Sequence, residues 1–158
     1  MTKEEAVQKI KELEEYIKNI NQSVGYGDDE IFLLSSEEYD RYKQNIPKIA
    51  ILWWLRTPGG NQKTASTVYG NGSIYYSGDY VYYDCGAIRP ALKIFDKAFK
   101  DIEVGNRYIK YDFPWIKVDE NLAIAELPIG FCRFDIESND YKTSEIRKYI
   151  NEWKECRK

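Results

Sequence analysis

Residues 49–56 read IAILWWLR, a continuous apolar and aromatic run that ends at the turn sequence TPGG of residues 57–60. The run is too short for a typical helix and is closed by proline and glycine, so it predicts a central strand. Adjacent side chains of a strand point to opposite faces. Trp53 and Trp54 therefore cannot face the same way, and in a run this apolar we expect both in the core.

A β-hairpin meander is expected directly after this strand. Residues 65–69 and 73–76 flank Asn71-Gly72, a strong hairpin signal because both residues tolerate the positive φ of a type I′ turn. A second turn, at Ser77-Gly78-Asp79, should return a third strand that ends in GAIRPAL, residues 86–92. Pro90 lacks a backbone donor and marks an edge or the end of that strand.

The N-terminal sequence predicts a long helix. Thr2 and Glu5 have the spacing of a capping box, and apolar residues then recur every three or four positions, which indicates a helix over residues 3–21. These apolar residues are Val7, Ile10, Leu13, Ile17 and Ile20. We expect the charged face to contact solvent, with a dimer contact as the alternative role of this helix.

Two further elements lie between this helix and the aromatic strand. The apolar residues 31–34 predict a buried strand. Ser35 and Glu38 repeat the capping-box spacing, so a short helix should follow and end at Ile46-Pro47.

The C-terminal third predicts a second small sheet and a last helix. Residues 108–111, 115–118 and 122–127 alternate well enough to form three strands. Ser144 can cap a helix with one apolar face, formed by Ile146, Tyr149, Ile150 and Trp153. The expected fold is α+β in one domain, residues 1–158, with small antiparallel sheets flanked by an N-terminal, a short internal and a C-terminal helix.

Composition narrows the possible functions. The 158 residues contain no histidine, which removes the commonest general base and metal ligand. Three cysteines without CxxC spacing indicate reduced thiols rather than disulfides or a zinc cluster. The net charge of -3 gives no bulk attraction to a polyanion, so we do not expect nucleic acid as a partner. With no apolar run of about 20 residues and a charged N-terminus, we expect a cytoplasmic protein without membrane contact, metal or cofactor.

A tyrosine-rich segment is the main candidate binding site. Six of the 14 tyrosines lie within 15 positions, among Gly, Ser, Asn and Asp: Tyr69, Tyr75, Tyr76, Tyr80, Tyr82 and Tyr83. This composition is typical of recognition surfaces, but tyrosine is also common in ordinary hairpin strands. Because strand residues alternate, we expect about half of the set to be exposed.

Other candidate site residues are weaker. Arg56 could bind an anion, as could Arg89, but arginines that end buried strands more often satisfy carbonyls or an internal carboxylate such as Asp84. Asn61 lies in a Gly-rich loop, residues 59–64, that lacks the spacing of a phosphate-binding loop. Cys85 is expected to be a small buried hydrophobic residue.

Three ordered motifs resemble a bacterial and prophage family of unknown function with FLLS-x-E-E, WWLRSPG and GVRPAL segments. Here they read DEIFLLSSEE at residues 29–38, WWLRTPG at residues 53–59 and GAIRPAL at residues 86–92. The family is similar in turn to C-type-lectin-like folds, including formylglycine-generating enzymes and the variable proteins of diversity-generating retroelements. The resemblance therefore implies a C-type-lectin-like fold.

The order of the elements departs from that family. Its Trp-containing strand, apolar strand and S-x-x-R helix precede the FLLS segment, whereas the matching residues here, within 104–155, follow the 29–92 half. We infer a circular permutation, which proteins tolerate where termini lie close together. The helix over residues 3–21 lies outside the motifs, and the paired active-site cysteines of the formylglycine-generating enzymes have no clear equivalent.

These observations favour a non-catalytic recognition module whose ligand is held by the hairpin and loop region, residues 57–85. The prophage resemblance suggests an accessory protein that acts inside a host bacterium by binding a defence protein or its nucleotide signal. Two alternatives stay open: a homo-oligomeric structural or virion protein, and an enzyme with a carboxylate, tyrosine or cysteine site.

Overall fold

The computed structural model describes residues 1–23 and 25–157, and of residues 16–23 it describes the backbone alone. In this part of the chain the α-helices are Lys3–Ser23 (α1), Ser36–Tyr42 (α2), Lys97–Lys100 (α3) and Glu145–Cys156 (α4). The strands are Ile31–Phe32 (β1), Trp53–Pro58 (β2), Thr64–Val68 (β3), Ile74–Tyr80 (β4), Ala87–Ile88 (β5), Ala91–Lys93 (β6), Arg107–Lys110 (β7), Phe113–Asp119 (β8), Leu122–Ala125 (β9) and Gly130–Phe131 (β10).

The strands form two five-stranded sheets, which confirms the predicted α+β class. The first has the order β1-β6-β9-β8-β7 and the second the order β10-β5-β2-β3-β4. All pairs are antiparallel except β2 and β5, which run parallel. The first sheet combines β1 and β6 with the three predicted C-terminal strands, so both halves of the chain build it.

Strand β2 is central in its sheet, as predicted, but it begins at Trp53 rather than at Ile49. Pairing to Val68 and Ala87 starts at Trp53, and Ile51 is exposed. Trp53 and Trp54 are buried on opposite faces, each in a different apolar cluster. The alternation argument was therefore correct for this pair, and β2 joins the two cores.

The hairpin between β3 and β4 is confirmed, but its turn type was wrong. Gly72 has φ of 86°, whereas Asn71 has no positive φ, so the two central residues of a type I′ turn are not present. Instead, Asn71 Oδ1 accepts from the Ser73 backbone N at 3.0 Å. The Tyr39 hydroxyl donates to the Gly72 carbonyl at 2.7 Å and fixes the hairpin tip.

The turn predicted at Ser77-Gly78-Asp79 is also wrong. Strand β4 runs through these residues with a shift in its pairing to β3. Gly78 absorbs the shift with φ of 81°, and a Cβ at this position would lie 2.3 Å from the Ala65 carbonyl oxygen. The meander therefore consists of β2, β3 and β4. Pro90 lies between β5, which belongs to the same sheet as the meander, and β6, which belongs to the other sheet.

Helix capping follows the sequence signals closely. Ser35 and Glu38 form the predicted capping box at the start of α2. The Ser144 side chain accepts from the Arg147 backbone N and begins α4, whose Ile146 and Ile150 are buried in the core. Helix α1 covers the predicted residues 3–21, and the side chains of Ile17 and Ile20 lie outside the described residues.

Candidate functional site

All six candidate tyrosines are exposed, with exposed fractions between 38% and 59%. The expectation that half of them would be inside was wrong. Tyr75, Tyr76 and Tyr80 lie on β4, the outermost strand of its sheet, so rings on both faces of that strand reach solvent. Tyr69, Tyr82 and Tyr83 lie outside the strands, in the segments that precede and follow β4. We call Tyr69, Tyr75, Tyr76, Tyr80, Tyr82 and Tyr83 the tyrosine surface.

One end of the tyrosine surface is a ring pair across the hairpin. The ring centroids of Tyr69 and Tyr75 lie 5.5 Å apart. Tyr75 is the cross-strand partner of Thr67, whose hydroxyl donates to Asp79 Oδ2 at 2.7 Å. Partial burial and the nearby Asp79 carboxylate raise the pKa of Tyr69. This end therefore places the Tyr69–Tyr75 ring pair beside a carboxylate that is held by a hydrogen bond.

The other end is a stacked pair. The rings of Tyr80 and Tyr82 are 5.2 Å apart and nearly parallel, at 14°. Tyr76 follows Tyr75 directly in the strand and so lies on the opposite face of the sheet. The six rings consequently form two preorganised pairs and two single rings around an outer strand.

Cys85 follows the tyrosine surface and is exposed, so the expectation of a buried residue was wrong. Its thiol donates to Asp84 Oδ1 at 3.3 Å, and this carboxylate raises the pKa of Cys85. Burial raises the pKa of Cys132 to about 11. Neither thiol has the lowered pKa that marks a reactive cysteine.

Arg56 serves the interior rather than an external anion. Its guanidinium forms an ion pair with Glu38, and it donates to the Leu33 carbonyl at 2.7 Å and to the Gly25 carbonyl at 3.2 Å. The interpretation as an arginine satisfied internally is therefore correct, although the carboxylate is Glu38 and not Asp84. The sequence placed Glu38 in the α2 capping box, but no local signal pairs it with Arg56.

Arg89 is fully buried, and no ion pair among the described residues involves it. It donates to the Ala125 and Pro47 carbonyls at 2.8 and 2.7 Å and lies over the Trp53 ring. Burial lowers the pKa of Arg89 to about 10. This side chain therefore links the two sheets and is not available to a ligand.

Asn61 is exposed but belongs to a closed turn. Its Oδ1 accepts from the Lys63 backbone N at 2.8 Å, and its carbonyl accepts from Asn139 Nδ2 at 2.9 Å. Since the side chain and carbonyl are engaged within the protein, the loop does not form a phosphate cradle.

A shallow pocket of about 440 Å³ lies at a place that no sequence motif predicted. It is lined by Tyr26, Arg56, Pro58 and the 139–142 loop, together with Ser35 and Thr57. These segments are far apart in the chain, and no local motif brings them together.

The described residues contain no cluster of three or more Cys, Asp or Glu side chains placed to hold a metal ion. No helix in the described ranges is both long and apolar enough to cross a bilayer.

Comparison with known proteins gives one family. The sequence pattern of a domain of unknown function, DUF6273, matches residues 2–95, which is more than half of the chain. The match includes α1, whereas the three motifs begin only at residue 29, and it contains the whole tyrosine surface. No curated protein and no solved structure matches the chain.

Proposed function

The chain belongs to the DUF6273 family of domains of unknown function, and from its surface we propose that it is a non-catalytic recognition module. The tyrosine surface binds the ligand, which is a protein or a small molecule with a planar group. Strands β2 and β3 form the rigid support behind it.

The two exposed ring pairs carry this proposal. Tyrosine gives a large contact area and loses little conformational entropy on binding. The pairs Tyr69–Tyr75 and Tyr80–Tyr82 already hold their rings in contact, which reduces the ordering that binding would require. Each ring also keeps a hydroxyl for hydrogen bonds at its outer end.

The more specific form of the proposal rests on the motif resemblance. The scaffold is a circularly permuted C-type-lectin-like fold, and the protein acts in the cytoplasm of a host bacterium as a prophage accessory protein. Its target is a host defence component or the nucleotide signal of that component. Stacking of a nucleobase on the Tyr80–Tyr82 pair would account for the nucleotide case.

The test is affinity capture from a bacterial lysate with the tagged protein, followed by mass spectrometry of retained proteins and small molecules. We expect a specific target that is lost when Tyr75, Tyr80 and Tyr82 are replaced together by alanine. Phe95→Ala is the matched control, because Phe95 is an exposed aromatic residue outside the tyrosine surface. A target retained equally by the triple variant would refute the proposed site.

Isothermal titration with the purified target then measures the contribution of each ring pair. Tyr80→Phe removes a hydroxyl and keeps the stack, whereas Tyr80→Ala removes both. If stacking dominates, Tyr80→Phe should bind nearly as well as the unmodified protein. Equal losses from both substitutions would show that the hydroxyl carries recognition.

A further inference from the structure

Helix α1 exposes apolar side chains. Val7, Ile10 and Leu13 have exposed fractions of 45%, 55% and 54%. In residues 1–15, whose side chains the structure describes, every side chain is exposed except that of Ala6, which is partly buried. In proteins, most of the stability of a helix comes from packing of its apolar face against a partner rather than from intrinsic helix propensity. This face therefore needs a partner that the described part of the chain does not supply.

The apolar residues of α1 follow a heptad repeat. With Ile10 as position a, Ile10 and Ile17 occupy a positions and Ala6, Leu13 and Ile20 occupy d positions, while Lys3 takes the first a position. Alternating a and d residues on one helix form the seam of a coiled coil. Among parallel coiled coils, Ile at a combined with Leu at d, as at Ile10 and Leu13, favours two strands.

The charges that flank the seam suit a second copy of the same helix. Lys9 falls at position g and Glu14 at position e of the next heptad. In a parallel dimer a g residue lies opposite the e residue five positions later in the partner. Lys9 of each copy therefore faces Glu14 of the other, which forms two equivalent ion pairs.

The same charges disfavour a lipid surface. Residues 3–23 contain four lysines and five glutamates, whereas helices that lie on membranes carry an excess of lysine and arginine on their polar face. The family match begins at residue 2, so this helix is a part of the domain and not an unrelated extension.

We propose that two copies of this chain associate through a parallel, in-register coiled coil of their α1 helices. Among the residues whose side chains are described, Ala6, Ile10 and Leu13 form the seam, and the Lys9–Glu14 pairs set the orientation. The heptad pattern continues in the sequence to residue 20. The dimer places two tyrosine surfaces in one particle. The dimer itself does not depend on the ligand proposed above.

Sedimentation equilibrium of the full chain over a wide concentration range tests the association. We expect a mass of two chains that falls to one on dilution. Ile10→Lys should give a single chain at every concentration, while the matched Gln8→Lys, at the outer position f of the helix, should keep the dimer. A single-chain mass for the unmodified protein, or a dimer that persists in Ile10→Lys, would overturn the proposal. Near-ultraviolet circular dichroism checks that the domain stays folded.

Orientation is tested by charge reversal and by crosslinking. Glu14→Lys should raise the dissociation constant several-fold because lysines then oppose each other, and adding Lys9→Glu should restore it. Leu13→Cys, with Cys85 and Cys156 replaced by serine, should form a disulfide between identical positions only in a parallel dimer. Absence of this crosslink, or failure of the charge swap to restore binding, would contradict the parallel arrangement.

Discussion

Replacing Glu38 by alanine should destabilise the protein strongly, because this carboxylate joins three segments. Glu38 is only 2% exposed. Besides its ion pair with Arg56, it accepts from the backbone N atoms of Gly25 at 2.6 Å and Ser35 at 2.8 Å. The substitution leaves the Arg56 guanidinium largely buried without its counter-charge, and it leaves the Gly25 N–H without an acceptor.

Removal of one member of a buried ion pair typically costs about 3–5 kcal/mol. For a domain of this length, that corresponds to a fall in melting temperature of roughly 6–20 °C. Urea unfolding followed by tryptophan fluorescence measures the free energy directly. Glu37→Ala is the control, since Glu37 is an exposed neighbour on the same helix, and it should change stability by less than about 1 kcal/mol.

A loss below about 1 kcal/mol for Glu38→Ala would refute the view that this pair is structural. Arg56 would then be free to take another role, including the anion binding considered from the sequence. If the large loss is observed, any binding defect of an Arg56 variant must be separated from unfolding before it is assigned to a ligand.

Two further substitutions test the core and the pH dependence. Gly86→Ala would place a Cβ 2.1 Å from Trp54 Nε1, so overpacking should lower the free energy of unfolding by about 1–3 kcal/mol, measured by thermal melting. The control Gly60→Ala should be nearly neutral, because a Cβ there meets only ordinary contacts. Equal melting temperatures for the two variants would contradict this packing. Partial burial and Asp96 raise the pKa of Tyr108 to about 12, so its contribution to stability is complete below pH 10 and is lost as the pH rises from 10 to 12. The difference in free energy of unfolding between the native protein and Tyr108→Phe should therefore fall from pH 10 to pH 12. If the two proteins lose stability in parallel over this range, the proposed role of Tyr108 is refuted.

Local patterns predicted the elements whose burial is decided by their own residues. The Trp53-Trp54 strand, the capping box of α2 and the C-terminal helix all follow from apolar spacing and short polar signals. The turns were predicted less well. Asn71 stabilises its loop through a side-chain acceptor rather than through a positive φ, and Gly78 forms a bulge within β4 rather than a chain reversal.

Exposure of the candidate site could not be read from alternation alone. Alternation assigns two faces to a strand, but it does not say whether both faces are covered. Strand β4 is outermost in its sheet, a property of topology that the local sequence does not contain. The partner of Arg56 was missed for a related reason, because Glu38 meets it only after β1, α2 and β2 have packed.

The tyrosine surface and the core depend on different residues. The Trp54 indole donates to the Cys132 carbonyl at 2.9 Å, and the Tyr141 hydroxyl accepts from the Leu33 backbone N at 3.2 Å. Strand β2 and the residue that follows β1 are thus held by residues beyond the family match, which ends at 95. The six exposed rings of the tyrosine surface take no part in these two contacts, so substituting them should cost little folding stability. Binding and folding can therefore be tested separately, by substituting the tyrosines for the first and the core contacts for the second.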